Sequence, residues 1–247
     1  MKSKNERRKM RQSWKMGVAS NCVLGILVLS VGALCLAPAE NAVATDSEGT
    51  ELYRSAGSES TGVSLMFNVY WGTEEVYRIL DILKARNAKA TFFIGGCWAD
   101  DNVECLRAIY AAGHEIGNHG YFHKDHDKLT VEQNKKEIAD CNRFIELAIG
   151  VAPTLFAPPS GAYDNDTLIA CKALNMKTVL WSRDTIDWRD KNAALIYTRA
   201  TKNVKGGEFV LMHPMEATAD ALDDILKYYE SQSLSTLTVS ENLQEKG

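Results

Sequence analysis

Beyond residue 60, apolar and polar positions alternate in blocks along the chain. Short apolar runs at 63–69, 89–94, 177–181, 208–212 and 235–239, with a briefer one at 155, read as largely buried strands. Between them, segments 74–85, 103–112, 131–149, 165–174, 193–203 and 217–231 carry apolar residues at three- and four-residue spacing and read as amphipathic helices. Strands alternating with helices predict an α/β fold with a largely parallel sheet, in the form of a distorted or partial (β/α) barrel. In such folds the chemistry gathers at the C-terminal ends of the strands. Polar groups at 68–71, His119, 184–188 and His213 all follow strand candidates, so they are expected at one mouth.

The first 60 residues break this pattern. Residues 1–16 set Lys2, Lys4, Arg7, Arg8, Lys9, Arg11 and Lys15 against the single acid Glu6, and an apolar run follows at 17–37. A run of that length reads as a transmembrane signal-anchor with its basic flank cytoplasmic, or as a signal peptide cleaved near the small residues Ala37, Ala39, Ala42 and Ala44. Either reading predicts a cell-membrane protein with an extracytoplasmic domain, or a secreted one. Residues 38–60 are expected as a polar linker and 61–247 as one catalytic-type domain. A formal charge of −4 argues against nucleic acid as a partner, and the oligomeric state stays open. Outside the apolar run, Cys97, Cys105, Cys141 and Cys171 permit two disulfides, with Cys97 to Cys105 closing the shortest loop.

Candidate chemistry concentrates at 113–123, which holds three of the five histidines. His119 and His123, four residues apart, can meet one metal ion if that stretch is helical; a pair of turn or surface histidines is the plainer alternative. His126, among Lys124, Asp125, Asp127 and Lys128, reads as part of a solvated loop. His114 and Glu115 read as structural.

Several ordered segments then resemble the polysaccharide deacetylase family, also called the NodB-homology domain or carbohydrate esterase family 4. They are Lys89-Ala90-Thr91-Phe92-Phe93-Ile94-Gly95, Gly113-His114-Glu115-Ile116-Gly117-Asn118-His119, Pro158-Pro159-Ser160-Gly161, Trp181 with Asp187-Trp188, and Leu211-Met212-His213. The resemblance implies a barrel of the polysaccharide deacetylase type and de-N-acetylation of an N-acetylated cell-wall glycan, peptidoglycan-like or chitin-like. It implies a divalent metal, zinc before cobalt or nickel, on His119, His123 and an aspartate, with a second aspartate as base. By the same resemblance His213 is the general acid, Asp187 and Trp188 are its neighbours, and Tyr163, Pro159, Gly161 and Trp71 line the sugar groove. Backbone N–H groups of the 158–161 turn would hold the oxyanion.

The chain departs from the family at three of these positions. Where active members read Thr-Phe-Asp-Asp-Gly it reads Met66-Phe67-Asn68-Val69, then Tyr70-Trp71-Gly72, so Asn68 stands at the base and Val69 at the metal carboxylate. Ala157 replaces an arginine. Glu74 is the candidate substitute metal ligand, with Glu75 beside it, although acids in a first helical turn also simply complement the helix dipole; Arg183 or Arg189 is the candidate substitute charge. With these rescues the chain is an N-deacetylase. Without them it is a catalytically impaired homologue that binds glycan or a wall-assembly partner through the same groove.

Overall fold

The computed structural model describes residues 52–244. The basic flank, the apolar run and most of the expected linker lie outside them. Leu52 and Tyr53, inside the stretch whose composition reads as linker, form strand β1 (Leu52–Tyr53) against β6 (Lys177–Val179), and Ala56 is fully buried. A two-residue strand in polar flanks is too short to carry a periodic signal.

Six further strands complete the main sheet: β2 (Gly62–Val69), β3 (Thr91–Ile94), β4 (Glu115–Asn118), β5 (Leu155–Phe156), β7 (Arg183–Asp184) and β8 (Phe209–Met212). Their order is β1-β6-β5-β4-β3-β2-β8-β7, and every ladder along it is parallel. β9 (Ser235–Thr236) pairs separately with the start of β2. The sheet curls into a half-barrel with helices outside, open between β1 and β7, as the alternation of elements predicts.

β2 shows why these residues make a central strand. All eight of its positions are buried, so it needs apolar side chains on both faces. Val63, Leu65, Phe67 and Val69 face the larger core under the helices, while Met66 joins Phe93, Leu155, Ala157, Val179 and Phe209 in the barrel interior. Asn68 shares the Met66 face by the period-two rule. Helix Val131–Ile149 is bounded by a capping box between Thr130 and Gln133 and by Gly150 in the left-handed region at φ 79°.

Some local expectations are corrected. The segment at 235–239 is only briefly strand, and helix Val239–Gln244 follows, docking through a Val239 N–H bond to Thr91 Oγ1. The four cysteines of the described residues are free thiols rather than two disulfides. Cys105 and Cys141 are packed into the helix-side core as small apolar groups, and Cys171 into a separate cluster with Ile138 and Phe156.

Candidate functional site

At the C-terminal mouth of the half-barrel lies a cleft of ≈ 320 Å³ lined by Asn68, Tyr70, Trp71, His119, His123, Ser160, Trp181, Asp184, Trp188, Leu211 and His213. The convergence expected from the strand ends is therefore present.

His119 leaves β4 in a turn fixed by Asn118, whose side chain accepts from Gly120 N at 2.7 Å and donates to Ile138 O and Asn142 Oδ1 at 2.8 and 2.7 Å. His119 Nδ1 lies 2.7 Å from the Ala157 carbonyl. A carbonyl only accepts, so Nδ1 carries the proton and Nε2 keeps its lone pair. His119 and His123 stand 5.1 Å apart by ring centroid. A helical turn does not bring them together: the chain between them is loop, and His123 sits in the left-handed region at φ 52°. Glu137 holds that loop on both sides of His123, accepting from Phe122 N at 2.9 Å and pairing with Lys124 at 2.6 Å. Burial, then the nearby His123, pushes the His119 imidazole down to about 3, and burial also lowers His123. Both rings are neutral near pH 7.

The opposite wall is built on Asp187. Its oxygens accept from His213 N at 2.6 Å, His213 Nδ1 at 2.8 Å, Thr218 Oγ1 at 2.7 Å and Trp188 N at 2.8 Å. This leaves His213 Nε2 free, while Trp71 stacks on the imidazole at 5.5 Å with 9° between planes. Asp187 is thus a buried orienting group and His213 the one that can reach a ligand.

Asn68 is 4% exposed, lines the cleft, and its side-chain oxygen has no hydrogen-bond partner. An unpaired buried acceptor costs about 1–3 kcal/mol. Val69 faces the other way, fully buried in the helix-side core.

The donor set does not fit the family's metal. Catalytic zinc takes three protein ligands. Here two neutral imidazoles are available, Val69 carries no donor, and Glu74 begins helix Glu74–Ala85 exposed to solvent and outside the cleft lining. Among the described residues no group of three His, Cys, Asp or Glu side chains can hold a metal ion. The rescue by Glu74 is corrected accordingly, since a first-turn acid on the solvent side of its helix serves the helix terminus. Arg183 is bound to Glu208 at 2.9 Å and to two backbone carbonyls, and Arg189 pairs with Asp190 at 2.7 Å, so neither replaces the arginine absent at Ala157.

Other groove expectations divide. Trp188 and Trp71 line the cleft, at 50% and 42% exposure. Tyr163, Pro159 and Gly161 do not line it. Tyr163 packs beside Leu52, Leu168 and Leu180 and lies 3.4 Å from Arg54, and Gly161, at φ 67°, lies so close to Trp181 that a Cβ would meet it at 2.9 Å. Ser160 takes their place, in the left-handed region at φ 57°. Gly161 N and Ala162 N bond back to Pro158 O and Pro159 O, which removes them as oxyanion donors. His126 is fully buried against Asn134 rather than solvated, its charged neighbours masking an inward turn. Sequence reasoning did not single out Tyr70, Ser160, Trp181, Leu211 or Thr218 as site residues; all but Thr218 stood in motifs whose positions gave the signal.

Barrel, mouth and ordered motifs together define a family, and direct comparison agrees. Residues 56–179 match the family model described as polysaccharide deacetylase, and the chain belongs to that family. It is 37% identical over 183 residues to "Uncharacterized protein YlxY" of Bacillus subtilis strain 168, an alignment covering 74% of this chain and 57% of that one. A peptidoglycan-N-acetylglucosamine deacetylase of Bacillus cereus is 33% identical over 175 residues, covering 68% and 82%. The crystal structure of BA3943, a carbohydrate esterase family 4 pseudoenzyme from Bacillus anthracis, superposes with a TM-score of 0.77 at 33% identity, covering 79% of this chain and 70% of that one. A mutant of BA3943 described as having restored enzymatic activity gives the same TM-score. The chain spans little more than half the length of YlxY.

Proposed function

We propose that this chain is a catalytically impaired polysaccharide deacetylase homologue that binds N-acetylated cell-wall glycan through the cleft at the barrel mouth. One observation carries the reading: the wall with Asn68, His119 and His123 lacks both carboxylates that the reaction needs, while the aromatic walls a sugar would contact are in place. An amide at Asn68 cannot take a proton from water as a carboxylate does. Two imidazoles alone make an incomplete metal site. Trp71 and Trp188 present exposed ring faces suited to sugar rings. The related peptidoglycan deacetylase supports a glycan as ligand, and the B. anthracis pseudoenzyme supports loss of turnover within this fold. The apolar run at 17–37 supports placement outside the membrane, anchored or released.

The test pairs two measurements on the full-length protein. Acetate release from N-acetylglucosamine oligomers and cell-wall glycan, with zinc or cobalt added, should not exceed that of His119→Ala. Binding of the same oligomers should persist with a chelator present and weaken in Trp188→Ala. Metal-dependent acetate that disappears in His119→Ala would instead establish an N-deacetylase.

A further inference from the structure

We infer that Tyr70 is a positioning residue whose ring, set between Gly95 and His123, holds the histidine wall of the cleft in a fixed arrangement that needs no metal ion. The inference goes beyond the glycan-binding reading and does not depend on it.

The contacts start at the end of β2. Tyr70 follows the strand directly, is half-buried, and lines the cleft with His119 and His123. Its ring lies 4.5 Å from the His123 ring by centroid, with 36° between planes, nearer than the 5.1 Å that separates the two imidazoles. The same ring covers Gly95, where an added Cβ would meet Tyr70 Cδ2 at 2.5 Å. Gly95 N in turn bonds to Val69 O at 2.9 Å. The ring is therefore pinned over the joined ends of β2 and β3, and His123 rests on it.

His123 needs such a support. Its backbone is in the left-handed region at φ 52°, which a residue with a Cβ adopts only at a cost. Glu137 ties down the chain on either side, at Phe122 N and Lys124, but neither contact reaches the imidazole. The rings of Tyr70 and His119 do. Two metal-bound imidazoles would be oriented by the ion they share; here the donor set is incomplete, and the Tyr70 ring orients His123 instead. Glycine, which active members carry at this position of the motif, has no side chain to do so. The next residue repeats the device on the other wall, where Trp71 stacks on His213. Consecutive aromatic side chains at the end of one strand thus cap one histidine on each wall.

The test is nuclear magnetic resonance of the imidazole side chains in the full-length protein in detergent, which holds five histidines. In wild type, His123 should give one sharp set of ring signals, the same with chelator as with equimolar zinc. Tyr70→Phe keeps the ring and should keep that set. Tyr70→Gly should lose it through exchange among conformers on the microsecond-to-millisecond scale. The His213 signals, fixed by Asp187, should persist and report an intact fold. Where the glycine variant does not fold, Tyr70→Leu fills the space without a ring and should show the same loss. A single sharp His123 set in Tyr70→Gly or Tyr70→Leu, or joint shifts of His119 and His123 on adding zinc to wild type, overturns the inference. No glycan enters this experiment, so its failure leaves the glycan-binding reading to its own test.

Discussion

The two walls of the cleft differ in how completely their polar groups are used. On the His213 side one buried carboxylate takes four donors, and every contact orients the imidazole. On the Asn68 side a buried oxygen is unpaired and the next residue faces the apolar core. A fully satisfied network fixes one geometry, whereas an unsatisfied one leaves capacity for a ligand. The contrast shows that half of a site can keep the frame that orients its histidine while the other half has lost both carboxylates.

The strongest way to break this contrast is to put the carboxylate back. Val69→Asp places a charge in the helix-side core and should cost about 4 kcal/mol of stability in urea unfolding. Added zinc should not recover it, because the side chain faces away from His119 and His123. A zinc-dependent gain larger than in wild type would show that the strand end can turn the new carboxylate into the cleft, and the contrast would then be one of residue identity alone. Asn68→Asp with Val69→Asp, assayed for acetate release, sharpens the point, since the B. anthracis pseudoenzyme has a mutant described as regaining activity.

Asp187→Ala attacks the satisfied wall. It strands the Thr218 hydroxyl, two backbone N–H groups and the His213 ring, and should cost about 3 kcal/mol in the same unfolding experiment. Rescue of half the loss by Asp187→Asn would locate the effect in hydrogen bonding. A loss below about 1 kcal/mol would mean that water replaces the carboxylate and that the two walls are not different in kind.

Acid provides the next effect. The His119 pKa falls from 6.5 to about 3 on folding, chiefly through burial. Above pH 6.5 the ring is neutral in both folded and unfolded chains and no penalty exists. Below it the unfolded chain takes up a proton that the folded one refuses, so stability falls as pH drops from 6.5 toward 3. Between pH 7 and pH 5 His119 alone should account for about 2 kcal/mol. His126, also lowered by burial, adds in the same direction. His119→Gln should flatten the profile over that window, and an unchanged slope would refute the assignment.

Much of this site is legible in the sequence. The block alternation of apolar runs gave the half-barrel, the histidine-rich stretch at 113–123 gave His119 and His123, and the ordered motifs gave Asp187, Trp188 and His213. The opposite facing of Asn68 and Val69 was also written in the chain, since Phe67 and Val69 share one face of a strand and Asn68 takes the other. What stayed hidden depended on three-dimensional placement. The left-handed turn at Ser160 moved the groove contact away from Pro159 and Gly161. Thr218 reaches Asp187 only because helix Glu216–Ser231 begins against the mouth. His126 is inward although its neighbours are charged, because Asn134 on the next helix receives it.

The smallest expected effect is the most informative about the Asn68 wall. Asn68→Leu removes a buried oxygen that has no partner, and leucine is similar in size, so the change exchanges an unsatisfied acceptor for apolar contact. Stability should stay within about 0.5 kcal/mol of wild type or rise, against the large loss in Asp187→Ala. Urea unfolding of the two variants side by side measures the difference. A loss of about 2 kcal/mol in Asn68→Leu would mean that the amide is already satisfied without ligand, and the wall would then be a structural network like its opposite.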